Sequence, residues 1–239
     1  MGNILYLWND LDLFEDSQKR SKMLWEKMNE YLLLEKRDKE KLYYCFGENL
    51  KDEWLKELGG VKDKFVISPG TRPTILLNKK GIKNFLQIQP QRIRNSQGST
   101  KGIDIDDTEK KKIREYCSKS SSEIFIVEDA IVNGETIKFL LDEIQESGFK
   151  GRVIVKVLFG NRRTINNIKN RYAFDIEYEV KKWMEGLPIE GSTLICMHDL
   201  LYGEIEKGIP YYERIDLLER FIPNDKKKLY DLLKALVKI

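Results

Sequence analysis

Two adjacent carboxylates, Glu128 and Asp129, stand shortly before Asn133-Gly134 and Thr136 in the stretch IFIVEDAIVNGETIKFLLDEIQ. Neighbouring acids offer oxygen acceptors at short range, which suits a sugar diol or a hydrated magnesium ion. A glycine-containing turn that opens a helix offers backbone N–H groups and the positive end of that helix, which suits a phosphate. Gly134 lets the backbone approach such a group, while Asn133 and Thr136 add side-chain hydrogen-bonding atoms. Asn-Gly is also a common hairpin turn. Here, however, it is followed by Ile137, Leu140, Leu141 and Ile144, the spacing of one helix face rather than of an alternating strand.

The elements that position these groups can be read on either side. Ile124-Phe125-Ile126-Val127 is a short β-branched and aromatic run, so it predicts a strand that ends at the acids. Ser147-Gly148 closes the helix, and Val153 to Phe159 reads as a second buried strand. The unit is strand-loop-helix-strand, with its polar loop at the carboxyl edge where open α/β sheets place ligands.

Other residues could take part. A strand over Lys64 to Ser68 runs into Ser68-Pro69-Gly70-Thr71-Arg72-Pro73, which is either an anion loop of amides, hydroxyls and a guanidinium or an ordinary Pro-Gly turn. Gln89 to Gly102 is polar and basic with no apolar period and predicts a mobile loop. Its Arg92, Arg94 and Lys101 either close over an anion or solvate the loop. The single histidine, His198, ends a strand expected over Ser192 to Met197, where a structural role outweighs contact with a base. Asp10 and Asp12 read as a solvated acid pair.

The flanks look mostly helical. Ile4 to Trp8 is a short strand or a docking segment, and Asp16 to Glu40 predicts a helix with a Leu24, Met28, Tyr31 and Leu32 stripe. Leu42 to Phe46 is undecided between strand and helix. Leu50, Trp54, Leu55 and Leu58 mark a short helix stopped by Gly59-Gly60. Phe85 to Ile88 predicts a strand, Lys110 to Ser118 a helix, Arg162 to Arg171 a helix with a basic face, and Phe174 to Val180 a half-exposed strand. After a short helix over Tyr211 to Phe221, a final helix opens at Asn224 and carries Leu229, Leu232, Leu233, Leu236 and Val237. The expected division is a helical cap over 1–60, an α/β core over 61–200 and C-terminal helices over 201–239.

A charged fraction of 34% beside an apolar fraction of 41% excludes a disordered chain, and 42 basic against 39 acidic residues is too balanced to argue for nucleic acid alone. The three cysteines, Cys45, Cys117 and Cys196, show no C-x-x-C spacing, against a disulfide framework or a zinc site. The acidic start MGNILYLWNDLDLFED is unlike a signal peptide, and no apolar run approaches a membrane span. A cytoplasmic protein with no membrane partner is expected.

VEDAIVNGET, Val127 to Thr136, resembles the phosphoribosyl pyrophosphate (PRPP) signature of type I phosphoribosyltransferases. That signature is an apolar strand, two acids, two mostly apolar residues and a short loop of hydroxyl residues and glycine. The resemblance implies an α/β fold with a parallel sheet flanked by helices. It implies that Glu128 and Asp129, the catalytic pair, meet the ribose hydroxyls directly or through metal and water. Val132, Asn133, Gly134, Glu135 and Thr136 would then hold the 5′-phosphate. By position alone, Ser68, Gly70, Thr71 and Arg72 correspond to the pyrophosphate loop, and Arg92, Arg94 and Lys101 to the flexible loop. The implied ligand is PRPP or a phosphorylated nucleotide, the implied cofactor is Mg, and the implied reaction is phosphoribosyl transfer to a nitrogen acceptor. Val132 and Glu135 depart from the signature and motivate an alternative, a catalytically weakened regulator or effector subunit. A homo-oligomer or complex subunit is left open, and nucleic acid is a third reading, carried by the basic loop and the Arg162 to Arg171 helix.

Overall fold

In the computed structural model the described residues are 4–14, 22–23, 25–27, 30, 42–46, 48–94, 100–120, 122–185, 192–202 and 226–237. The apolar runs become strands and the periodic stretches become helices. In chain order these are β1 (Ile4–Trp8), α1 (Leu11–Phe14), β2 (Leu42–Phe46), α2 (Glu48–Glu57), a 3-10 turn (Leu58–Val61), β3 (Val66–Pro69), α3 (Thr71–Lys79) and β4 (Leu86–Ile88). Then follow β5 (Gln91–Arg94), β6 (Thr100–Asp104), α4 (Asp107–Ser118), β7 (Glu123–Ile131), α5 (Glu135–Glu146) and β8 (Arg152–Asn161). The last are α6 (Arg162–Lys169), β9 (Asp175–Met184), β10 (Ser192–Cys196), α7 (Met197–Tyr202) and α8 (Lys226–Val237).

Two compact units result: residues 1–50 with 189–239, and residues 51–188. The second unit holds a five-stranded sheet in the order β4-β3-β7-β8-β9, all parallel. This is the α/β class expected, a parallel sheet flanked by helices. Burial from Ile124 to Asp129 and from Val153 to Asn161 is continuous, the mark of strands covered on both faces. One face buries Ile124, Ile126, Val153, Val155 and Val157 under α4, α5 and α6, which contribute Ile113, Leu140, Leu141, Ile144, Ile165 and Ile168. Alternation sends Phe125, Val127 and Ile154 to the other face. There α3 packs on β7, and Lys181 of β9 pairs with Glu53 and Glu57 of α2.

The first unit differs from the mainly helical cap expected. Its strands β1 and β2 pair in parallel, and β10 adds to the far side of β1, giving the order β10-β1-β2. Ser192–Cys196 was expected inside a 61–200 core; it lies beside β1 instead. A short apolar run reveals that it is a strand, not which strand it pairs with. The helix expected over Asp16 to Glu40 and the one over Tyr211 to Phe221 fall largely or wholly outside the described residues.

The loop expected over Gln89 to Gly102 is also corrected. Gln91–Arg94 and Thr100–Asp104 form a two-stranded antiparallel ribbon, and residues 95–99 lie outside the described set. Among the described residues the ribbon joins no other strand, and Ile93 is exposed, so no apolar alternation was required to build it. Asp106 then caps α4, its carboxylate accepting from the Glu109 N–H at 2.8 Å.

Candidate functional site

β7 is longer than the apolar run predicts. It continues through the acids to Ile131, so Glu128 and Asp129 are strand residues near its carboxyl end. Both are buried, at 1% and 8% exposure. As successive strand residues they leave the sheet on opposite faces. The Asp129 N–H donates to Glu128 Oε1 at 3.2 Å. Buried carboxylates held at a strand end are ready-made acceptors for hydroxyls or a hydrated cation.

The loop beyond them is short and determined by Gly134. That residue has φ 76° and ψ 9°, the left-handed region, and it caps α5 without any side-chain hydrogen bond. A Cβ at Gly134 would lie 2.6 Å from Ile168 Cδ1 and 2.7 Å from Thr164 Cγ2, so both conformation and space require glycine. Asn133 Oδ1 accepts from the Glu135 N–H at 3.3 Å. Thr136 follows in the first turn of α5, where amides lack intrahelical partners. Glu135 pairs with Lys138 one turn on in the same helix, so its carboxylate is compensated locally.

Sequence reasoning missed what holds the loop from behind. The Thr164 hydroxyl of α6 donates to the Val132 carbonyl at 2.7 Å, and Asn161 caps α6 by accepting from the Thr164 N–H at 3.1 Å. Thr164, Ile165 and Ile168 form the buried side of α6. Their spacing was visible, but the element they meet was not.

The second candidate loop follows β3. Gly70 has φ 93° and ψ −178°, backbone that glycine adopts readily, and Thr71 and Arg72 open α3, both half-buried. Ser68 is fully buried, its hydroxyl 2.9 Å from Thr74 Oγ1, which in turn donates to the Gly70 carbonyl at 2.8 Å. The Gly70 N–H donates to the Ile88 carbonyl at 2.8 Å. Within this loop Ser68 and the Gly70 amide are thus engaged internally. Arg92 and Arg94 lie on β5 and Lys101 on β6.

Topology joins the two loops. β3 and β7 are adjacent and parallel, so Ser68–Arg72 and Asp129–Thr136 leave the sheet at the same edge. From β3 the chain moves outward to β4, and from β7 it moves the other way to β8 and β9. The gap between β3 and β7 is therefore a topological switch point, the crevice where open α/β sheets bind ligands. His198 belongs to the other unit. Its N–H donates to Asp10 Oδ1 at 2.8 Å and its ring lies 4.0 Å from that of Phe14. Among the described residues, no group of three or more His, Cys, Asp or Glu is arranged to hold a metal. No helix described is long and apolar enough to cross a membrane. Burial pushes the Cys117 thiol up to about 12 and also raises Tyr178, which leaves both neutral at ordinary pH.

Comparison with known proteins gives structural likeness only. No family model matches the sequence, and no curated protein matches it. The chain is similar to a hypothetical protein from Neisseria gonorrhoeae with bound ppGpp, at 12% identity over 62% of this chain and 82% of that one, with a TM-score of 0.37. It is similar to a hypoxanthine phosphoribosyltransferase from Staphylococcus aureus, at 16% identity over 58% and 74%, TM-score 0.37. A purine phosphoribosyltransferase from Pyrococcus horikoshii gives 16% identity over 62% and 91%, TM-score 0.31.

Proposed function

We propose that the edge between β3 and β7 binds PRPP or a nucleotide bearing ribose 5-phosphate, and transfers the phosphoribosyl group to a nitrogen acceptor. The observation that carries this reading is the meeting of the two loops at one switch point. One loop offers acids and an uncapped helix start, the other a second helix start with Thr71 and Arg72.

In this reading the 5′-phosphate is received by the loop Val132–Thr136, where the start of α5 supplies amides and dipole. The pairing of Glu135 with Lys138 lowers the repulsion that a lone carboxylate would present to that phosphate. Asp129, with Glu128 behind it, takes the ribose hydroxyls. Thr71 and Arg72 face the leaving pyrophosphate, and Arg92, Arg94 and Lys101 supply further cations. The C1–O bond to pyrophosphate breaks with its electron pair leaving on the pyrophosphate, and the acceptor nitrogen forms the new bond to C1 and gives up its N–H proton to water or to the departing pyrophosphate. The protein's part is to hold charge and position and to exclude water.

The residues fit Mg in a limited sense. A single carboxylate without further ligands clustered about it among the described residues matches an ion that keeps most of its waters and takes its other oxygens from substrate. Asp129 would hold it through those waters, Glu128 leaving the sheet on the opposite face, and it would neutralise charge developing on the pyrophosphate.

Calorimetric titration of PRPP with Mg tests the reading. Binding is expected, and Asp129→Asn should weaken it at least tenfold, about 1.4 kcal/mol. Pyrophosphate release with one of a panel of nucleobases completes the assignment as an enzyme. Binding without release against the whole panel removes the transfer step and leaves the ligand. Failure to bind PRPP or any ribose 5-phosphate nucleotide overturns the proposal.

A further inference from the structure

The exposed side of α6 has no part in the site described above. From Gly160 to Phe174 the chain carries Arg162, Arg163, Lys169 and Arg171 and no acid, in a protein with 39 acidic residues among 239. Thr164, Ile165 and Ile168 are buried, while Arg162, Arg163, Asn166, Asn167 and Lys169 are exposed. At about 3.6 residues per turn, Arg162, Asn166 and Lys169 fall on one stripe of roughly 10 Å, with Arg163 beside it. Among the described residues, Arg163, Lys169 and Arg171 enter no ion pair. By contrast, Lys110, Lys111, Arg114 and Arg152 are each paired with an acid. Arg163 and Lys169 of α6, with Arg171 just beyond it, are thus exposed and without a paired acid, the arrangement that attracts a polyanion.

A second feature adjoins the stripe. The Arg162 guanidinium lies over the Trp183 ring, 4.6 Å from its centroid, and its Nε is 3.2 Å from Glu185 Oε1. Glu185 and the indole together hold the guanidinium in this place beside the exposed side of α6. Planar guanidinium and aromatic groups stack unpaired bases, and asparagine amides bond to phosphates or base edges. A duplex hides its base faces; a single strand does not.

We propose that the outward face of α6 is a docking surface for single-stranded nucleic acid. Phosphates lie along Arg163, Asn166 and Lys169, and one base stacks on the Arg162–Trp183 pair. The surface is independent of the phosphoribosyl reading, because none of these side chains belongs to the loops after β3 and β7.

Fluorescence anisotropy with a labelled mixed-sequence dodecanucleotide, as RNA and as DNA, tests this on the full chain. Single strands should bind, with affinity falling as salt rises. Arg163→Ala with Lys169→Ala should lower the log–log salt slope by about 1.4, since each single-strand phosphate contact contributes about 0.7. Arg162→Ala should weaken the single strand more than a duplex of the same sequence. Circular dichroism melts should show all variants folded, and PRPP titration of the double variant should match the parent. The proposal is overturned by no binding at about 50 mM salt, where counterion release favours phosphate contacts. It is equally overturned if the duplex binds as tightly as the strand, if heparin competes as well as unlabelled RNA, or if Arg163→Glu with Lys169→Glu changes nothing.

Discussion

Gly134 is the residue on which the loop's shape depends. Its left-handed backbone alone disfavours a side chain, and Ile168 and Thr164 close the space a Cβ would enter. Gly134→Ala should therefore cost about 1–3 kcal/mol, combining left-handed strain with overpacking. Urea denaturation at constant m-value measures it, and the same variant should lose affinity for PRPP. An unchanged midpoint would mean that the loop relaxes freely. Glu135 shows the opposite kind of residue: chemically awkward in the sequence, it is compensated by Lys138 within its own helix. The turn at Asn133-Gly134 and the helix start at Thr136 could be read from the sequence because turn chemistry is local to a few residues. The commitment of Ser68 to Thr74 could be read only from contacts.

At the scale of elements, α6 buttresses the loop as well as carrying the basic stripe. Its Thr164 hydroxyl reaches Val132 across a sequence separation of 32. Thr164→Val keeps the shape and removes the donor, leaving the Val132 carbonyl without that bond, so destabilisation of about 1–2 kcal/mol is expected. Thr164→Ser should restore most of the loss. Chemical denaturation of the three proteins checks both statements; equal stability of the valine and serine variants would assign the effect to packing instead. The helix and its basic face were evident in Arg162 to Arg171, whereas the partner of its other face was not, since periodicity marks a face but not what covers it. The same limit explains the β5–β6 ribbon, whose backbone pairing needs no hydrophobic pattern.

On the scale of the whole molecule, the two units differ in how the chain builds them. Residues 51–188 are continuous and contain all five strands of the larger sheet, while the other unit joins 1–50 to 189–239. A fragment of 51–188 is therefore expected to fold alone, with a cooperative thermal transition and native far-ultraviolet dichroism. A fragment of 1–50 should not, because β1 then lacks β10. A non-cooperative melt of the 51–188 fragment would show that its sheet depends on the remaining chain.

Alone, the sequence determined the strand-loop-helix-strand unit around Glu128 to Thr136, the helix faces and the α/β class. Turn chemistry and periodicity are written within a few neighbouring residues. Tertiary structure alone decided that the loops after β3 and β7 share one edge, that α6 closes behind Gly134, and that β10 joins β1. Those outcomes depend on which buried faces meet, and burial against a distant segment leaves no local trace in either partner.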